Sequence, residues 1–151
     1  MTGIYDIMDK IEQYLLSDGL CNSVSSGDLS ESALQKLNSY PYAHITLGNA
    51  DFNDNTITFN LFVICMDAVD VSKDGTTDLL KGNDNEHDAL NTTLAILSRL
   101  VEIFKRGDIR SDGYHLSGTP TAEPFFDEYA DKVAGWTLNL AIDWRNNMDA
   151  C

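Results

Sequence analysis

The stretch from residue 134 to residue 144 constrains the fold of this chain more than any other part of the sequence. Large apolar side chains alternate there with small or polar ones. The apolar positions are Trp136, Leu138, Leu140, Ile142 and Trp144, and the positions between them are Thr137, Asn139, Ala141 and Asp143. Because successive side chains of a β-strand point to opposite faces, this spacing predicts a long strand with one dry face and one wetter face.

A covering layer for the dry face is predicted at residues 86–106. Acidic Glu86 and Asp88 begin this segment and the run Lys105-Arg106-Gly107 ends it, as the helix dipole and a glycine C-cap favour. The apolar stripe of this predicted helix comprises Leu90, Leu94, Leu97, Val101 and Phe104. We expect Leu94, Leu97 and Val101 to pack against the dry face of the final strand.

The remaining elements are predicted from the same two periodicities. Helices are expected at residues 4–16 and 31–38, and strands at residues 21–26, 43–47, 56–66 and 114–117. A turn rich in Asn and Asp at residues 49–55 joins two of these strands into a hairpin. The sequence therefore predicts a single α+β domain over residues 1–151, in which a mostly antiparallel sheet packs against one long helix, with an additional N-terminal helix.

The charge of the chain argues against one large class of functions. The sequence carries 10 basic and 24 acidic residues, which is a formal net charge of −14. A protein that binds nucleic acid through its phosphates gains affinity from Lys and Arg, which release counterions. An excess of carboxylates repels DNA and anionic membranes, so neither is expected as a binding partner.

Neither a secretion signal nor a disulfide framework is expected. The first 14 residues lack a basic start followed by an apolar segment, and no apolar run reaches the length of a membrane span. The three cysteines, Cys21, Cys65 and Cys151, are scattered, and Cys65 lies inside an apolar predicted strand. This pattern is typical of a reduced protein that folds in the cytoplasm and has no thiolate metal site.

The most acidic part of the chain includes a long predicted loop at residues 67–85. Residues 51–88 contain nine acidic residues and two lysines, a net charge of −7. The candidate channel or interface residues in the loop are Asp67, Asp70, Asp74 and Asp78. We expect them to face solvent and to bind no metal. Residues 70–75 match the start of a calcium loop, but Lys81 occupies the twelfth position, where a bidentate Glu is required.

No catalytic constellation is recognisable in the sequence. Glu86, His87 and Asp88 are adjacent and point in different directions on a helix, so they cannot converge on one ion. His44 and His115 stand alone, and no Ser or Cys lies in a pattern that would activate it. No glycine-rich loop precedes a helix in the phosphate-binding manner. The sequence therefore predicts neither an enzyme nor a cofactor.

Four parts of the sequence resemble the tail terminator and tail completion proteins of tailed bacteriophages. They are Tyr40-Pro41-Tyr42-Ala43-His44-Ile45, Met66-Asp67-Ala68-Val69-Asp70, Asn83-Asp84-Asn85-Glu86-His87-Asp88 followed by Leu90-Asn91, and Ala134-Gly135-Trp136. The predicted order of a helix, a strand hairpin, a long helix and a closing strand is similar as well. The resemblance extends over most of the chain from about Val24 onward.

This resemblance implies a structural role in the virion. Proteins of the family form rings at the neck or tail end, where they stop growth of the tail tube or join the tail to the head connector. The implied partners are further copies of the chain and the portal, connector or tail-tube proteins. DNA is expected to pass through such a ring without specific binding, since an acidic lumen repels it. The protein would fold in the host cytoplasm and end in the virion.

A second hypothesis for the function does not involve assembly into a ring. A small acidic cytosolic binding protein, such as an inhibitor whose carboxylates mimic nucleic acid, would have the same composition. The mass in solution separates the two, because a ring subunit assembles with itself or its connector and a mimic binds one basic partner stoichiometrically. For a ring, the predicted strands at residues 21–26 and 43–47 offer free edges, and the loop at residues 67–85 could reach a neighbour.

Overall fold

The computed structural model describes residues 3–17, 20–27, 40–69, 86–126 and 133–145. Within these ranges the helices are α1 (Ile4–Leu16), α2 (Glu86–Arg106) and α3 (Asp108–Ser111). The strands are β1 (Ser23–Ser26), β2 (Tyr42–Phe52), β3 (Thr56–Ala68), β4 (Tyr114–Leu116), β5 (Thr121–Phe126) and β6 (Val133–Arg145). The predicted helix at residues 31–38 and residues 70–85 of the predicted loop lie outside the described residues.

The strands join into one sheet in the order β1-β2-β3-β6-β4, and β5 also pairs with β6. Strands β3 and β6 pair along their whole length, from Thr56 opposite Arg145 to Ala68 opposite Val133. Strand β1 runs parallel to β2, and the other pairings are antiparallel. The predicted α+β fold, with a mostly antiparallel sheet, a long helix and an N-terminal helix, is confirmed.

The main core lies on the face of the sheet that carries Leu138 and Leu140. Both side chains are buried, whereas Asn139 between them is exposed, as the alternation predicts. Trp136 is partly buried at the margin of this core. Its indole N–H donates a hydrogen bond to the backbone carbonyl of Leu90 at 3.0 Å, which joins β6 to α2.

Helix α2 has the predicted bounds but presents a different stripe to the sheet. Its buried side chains are Ala89, Thr93, Ile96, Leu97, Leu100 and Phe104. Leu94 is 41% exposed, so its predicted packing is wrong, and Val101 is only partly buried. The prediction followed the bulkiest side chains. The small Ala89 and Thr93 face inward instead, and the Thr93 hydroxyl is satisfied there because it donates to the carbonyl of Ala89 at 2.8 Å.

Helix α1 closes the same core. Ile7, Ile11 and Leu15 recur at helical spacing and are fully buried. The start of α1 is held by Tyr114 of β4, whose hydroxyl donates a hydrogen bond to the Asp6 carboxylate at 2.7 Å. None of the helices in the described ranges combines the length and the apolar character that crossing a bilayer requires.

The structure corrects the prediction for the segment between α2 and β6. The sequence predicts only a short strand at residues 114–117 in this segment, but residues 108–124 include α3 and most of β5 as well as β4. Pro124 of β5 has no N–H to donate, which an edge strand tolerates. Strand β5 contributes Phe125 to a second, smaller apolar cluster with Tyr42, Met66 and Val133.

Candidate functional site

The predicted acidic site is only partly within the described residues. Asp67 lies in β3 opposite Ala134 and is half-buried, so the strand extends two residues into the predicted loop. Its carboxylate accepts a hydrogen bond from the backbone N–H of Ala68 at 2.9 Å. Asp70, Asp74 and Asp78 lie outside the described residues, and their predicted exposure stays a prediction.

A different surface is defined by the second half of β2, residues 46–52, which we call the β2 extension. Strand β1 pairs with β2 only from Tyr42 to Ile45. The N–H of Gly27 then donates to the carbonyl of Ile45 at 3.1 Å. Within the described residues, the β2 extension has no strand on its outer edge. The turn that follows it spans only residues 53–55, because the predicted turn at residues 49–55 is partly strand.

A bulge places three apolar side chains of the β2 extension on one face. The pairing with β3 shifts by one residue between Leu47 and Ala50. Leu47, Ala50 and Phe52 therefore lie opposite three β3 residues that share a face, Leu61, Phe59 and Ile57. Gly48 sits in the bulge because a Cβ atom there would lie 2.8 Å from the carbonyl oxygen of Asn60.

These three side chains form an exposed strip. Phe52 is 80% exposed, Leu47 is 48% exposed, and Ala50 is exposed as well. Acidic residues lie beside the strip, since Asp51 precedes Phe52 and Asp54 follows in the turn. A strand edge that carries exposed apolar side chains is typical of a surface that pairs with another chain.

A second surface of interest lies on the helices. Residues 99–110 contain four of the ten basic residues of the chain and only two acidic residues. A groove of about 290 Å³ between α1 and α2 is lined by Tyr14, Ile103, Arg99, Arg106 and the acidic Glu102, among others. Arg106 also pairs with Glu102 at 3.7 Å, but both side chains are exposed, so this ion pair is weak. We call this surface the helix groove.

A polar cluster that no sequence motif indicated lies where β1 meets β2. The His44 imidazole is 2% exposed, and its Nε2 lies 2.7 Å from the carbonyl oxygen of Gly27. A carbonyl can only accept, so Nε2 carries the proton and Nδ1 accepts from the Ser25 hydroxyl at 2.6 Å. The Tyr42 hydroxyl also hydrogen bonds to Ser25.

A serine next to a histidine is the first half of a nucleophile and base pair. Here the imidazole is not accessible from solvent, since His44 is 2% exposed and Tyr42 is 1% exposed. The cluster instead holds the short strand β1 in its parallel pairing with β2. Sequence reasoning missed it because Ser25 and His44 are 19 residues apart and only the β1–β2 register brings them together.

Two buried thiols face each other in the main core. Cys21 and Cys65 are free cysteines, and both belong to the main apolar cluster. The hydrogen bond between the two thiols, together with burial, raises the pKa of the Cys65 thiol well above its usual range, and the same hydrogen bond lowers the pKa of Cys21. The Cys65 thiol therefore stays protonated and is a poor nucleophile. Across the described ranges, no three His, Cys, Asp or Glu side chains are grouped so that they could hold a metal ion.

Comparisons with known proteins identify no family for this chain. No model of a known protein family matches the chain, and a search of curated proteins finds no significant match. The geometry of the β2 extension and the helix groove therefore carries the functional argument.

Proposed function

We propose that this chain is a structural protein of a tailed-bacteriophage virion, which forms a homo-oligomeric ring at the neck or tail end. The ring would terminate the tail or join it to the head connector. The observation that carries the proposal is the β2 extension, a strand edge with exposed Leu47 and Phe52 that suits pairing with another subunit. A ring subunit needs such a surface and needs no active site.

The described parts of the segments that resemble tail terminator and completion proteins lie close together in the fold, which supports the proposal. Tyr42 pairs with Met66, and Met66 pairs with Gly135. Trp136 then bonds to the carbonyl of Leu90 on α2. Stretches that are far apart in sequence therefore meet at one end of the sheet, as parts of one structural feature would.

The charge of the chain supports the same role. Copies of a −14 protein in a ring would present carboxylates to the lumen, where they would repel passing DNA. In this proposal the partners are further copies of the chain and the portal, connector or tail-tube proteins. The protein would enter the virion after it folds in the host cytoplasm.

The test is to assemble particles without this protein and to image them by electron microscopy. We expect unjoined heads and tails, or tails of abnormal length, and rescue when the wild-type chain is supplied. Joined particles with normal tails and full infectivity would overturn the proposal. A monomer that binds one basic partner stoichiometrically would point instead to the acidic inhibitor.

A further inference from the structure

We infer that the β2 extension of one copy docks in the helix groove of the next copy, with Phe52 as the anchor. The inference rests on the proposed ring and names the contact that closes it. Both surfaces are present in one chain, and Phe52 is 80% exposed, so it does not fill its own groove. The two surfaces differ, so the contact is heterologous and repeats from copy to copy.

The size of the groove suits an aromatic side chain. An apolar cavity of about 150 Å³ can hold a benzene molecule. The helix groove has a volume of about 290 Å³, and Tyr14 and Ile103 contribute apolar surface to it. An exposed aromatic residue that enters a partly apolar pocket is the usual form of an interface anchor.

The charges of the two surfaces are complementary. The β2 extension and its turn contain Asp51 and Asp54 and no basic residue. Arg99 and Arg106 are seven residues apart on α2, which is about two helical turns, so they lie on the same side of the helix. The segment that carries the exposed phenyl ring therefore has a net charge of −2, and it meets a groove whose charged side chains, Arg99, Arg106 and Glu102, have a net charge of +1.

A second copy fits this groove better than a different partner. The chain as a whole has a charge of −14, yet the charged side chains that line the helix groove, Arg99, Arg106 and Glu102, have a net charge of +1. This basic surface selects an acidic segment, and the β2 extension supplies one that also bears the exposed aromatic residue.

The first experiment compares two substitutions of equally exposed aromatic residues. Phe52→Ala should weaken self-association, measured by sedimentation equilibrium up to the highest soluble concentration, by about ten-fold or more, as removal of an anchor does. Tyr5→Ala is the matched control, because Tyr5 on α1 is 81% exposed but lies outside both surfaces. It should leave the association unchanged.

A second variant separates local complementarity from net charge. Changing Asp51→Asn together with Asp54→Asn brings the net charge from −14 to −12 and lowers the repulsion between copies. Repulsion alone predicts tighter association of this variant, whereas docking on Arg99 and Arg106 predicts weaker association. Tighter association would overturn the inference.

Cross-linking identifies the two surfaces directly. In a Cys151→Ser background, one chain carries Asn53→Cys in the turn and the other carries Ser98→Cys in the groove. Oxidation of the mixture should give a disulfide-linked dimer that contains one copy of each chain. Absence of that dimer, or equal association of the wild type and Phe52→Ala, would contradict the docking.

The outcomes distinguish this inference from the proposed function. If a ring forms that does not depend on Phe52, the docking is wrong and the ring proposal stands. If the Phe52 contact forms but particles assemble normally without the protein, the virion role is wrong and the docking stands. If the chain does not self-associate, the docking is wrong, and particle assembly alone decides the virion role.

Discussion

Gly135 is a residue of β6 at which the backbone of β3 leaves no room for a side chain. A Cβ atom at this position would lie 1.9 Å from the carbonyl oxygen of Cys65 and 2.9 Å from the Cα atom of Met66. Both obstacles are backbone atoms, so no side-chain rotation can relieve the clash. The Ala134-Gly135-Trp136 stretch therefore needs glycine at its centre for β6 to pair with β3.

We expect Gly135→Ala to lower the free energy of unfolding by at least about 1–3 kcal/mol, the usual cost of overpacking. Urea denaturation monitored by circular dichroism measures it. Gly48→Ala is the milder comparison, because the nearest backbone obstacle there, the carbonyl oxygen of Asn60 in β3, is at 2.8 Å and Gly48 itself lies on the β2 extension. An unchanged midpoint for Gly135→Ala would mean that the strands are further apart than described.

Tyr114 is a residue whose titration should affect stability. Burial and the hydrogen bond to Asp6 raise the pKa of its phenol from 10.0 to about 12. The folded state therefore holds the phenolic proton more tightly than the unfolded state does. The stability from this group is present in full below pH 10 and is lost as the pH rises from 10 through 12.

We predict that Tyr114→Phe reduces the fall in stability between pH 10 and pH 12 relative to the wild type. The difference should reach about 2–3 kcal/mol at most, since each pKa unit corresponds to about 1.4 kcal/mol. Thermal unfolding of both chains at a series of pH values measures it. Parallel pH profiles would show that Tyr114 does not titrate differently in the two states.

At the scale of elements, the orientation of α2 about its own axis decides which leucines stabilise the protein. Leu97 is 1% exposed and Leu94 is 41% exposed, although both belong to the stripe expected from the sequence. The inward stripe runs through Ala89 and Thr93 at its N-terminal end. Trp136 already occupies the space between the sheet and this end of α2, and its indole N–H donates to the carbonyl of Leu90.

Leu97→Ala should lower the free energy of unfolding by about 2–5 kcal/mol, because it removes buried methyl groups and leaves a cavity. Leu94→Ala is the matched control in the same helix and should change it by no more than about 0.5 kcal/mol. Chemical denaturation of the two variants side by side tests the orientation of the helix. Equal losses would show that both leucines are buried.

At the scale of the whole molecule, charge is distributed unevenly. Residues 51–88 have a net charge of −7 and residues 99–110 a net charge of +2. The excess of carboxylates repels DNA at long range. The basic stretch is short, and Glu102 lies close to Arg106 within it, so it offers few groups that could neutralise phosphates.

We predict that the isolated protein gives no measurable shift of duplex DNA in an electrophoretic assay at physiological salt. The physical reason is that 24 acidic residues oppose 10 basic ones, so few condensed counterions can be released. A fluorescence anisotropy titration at low salt extends the test. Binding whose affinity falls steeply with salt would show a phosphate-binding surface and would contradict the expected repulsion between the protein and DNA.

The sequence by itself determined the type and approximate bounds of the main elements. The alternation in β6, the helical spacing in α1 and the charged ends of α2 are local properties, because they depend on residues that are neighbours in the chain. They were sufficient for the α+β class and for the dry face of the final strand. None of them indicates a partner that lies far away in sequence.

The tertiary structure alone decided the features that depend on distant residues. The stripe of α2 follows the available space on the sheet rather than side-chain size, and β5 forms because β6 offers it an edge despite Pro124. The bulge at Gly48 turns the β2 extension so that Leu47 and Phe52 share a face. The β1–β2 register brings the Ser25 hydroxyl within hydrogen-bonding distance of the His44 imidazole. Packing and register select among local patterns that are equally allowed. The sequence therefore indicated a free edge at residues 43–47, whereas in the described residues β1 covers β2 as far as Ile45 and the uncovered edge runs from residue 46 to residue 52.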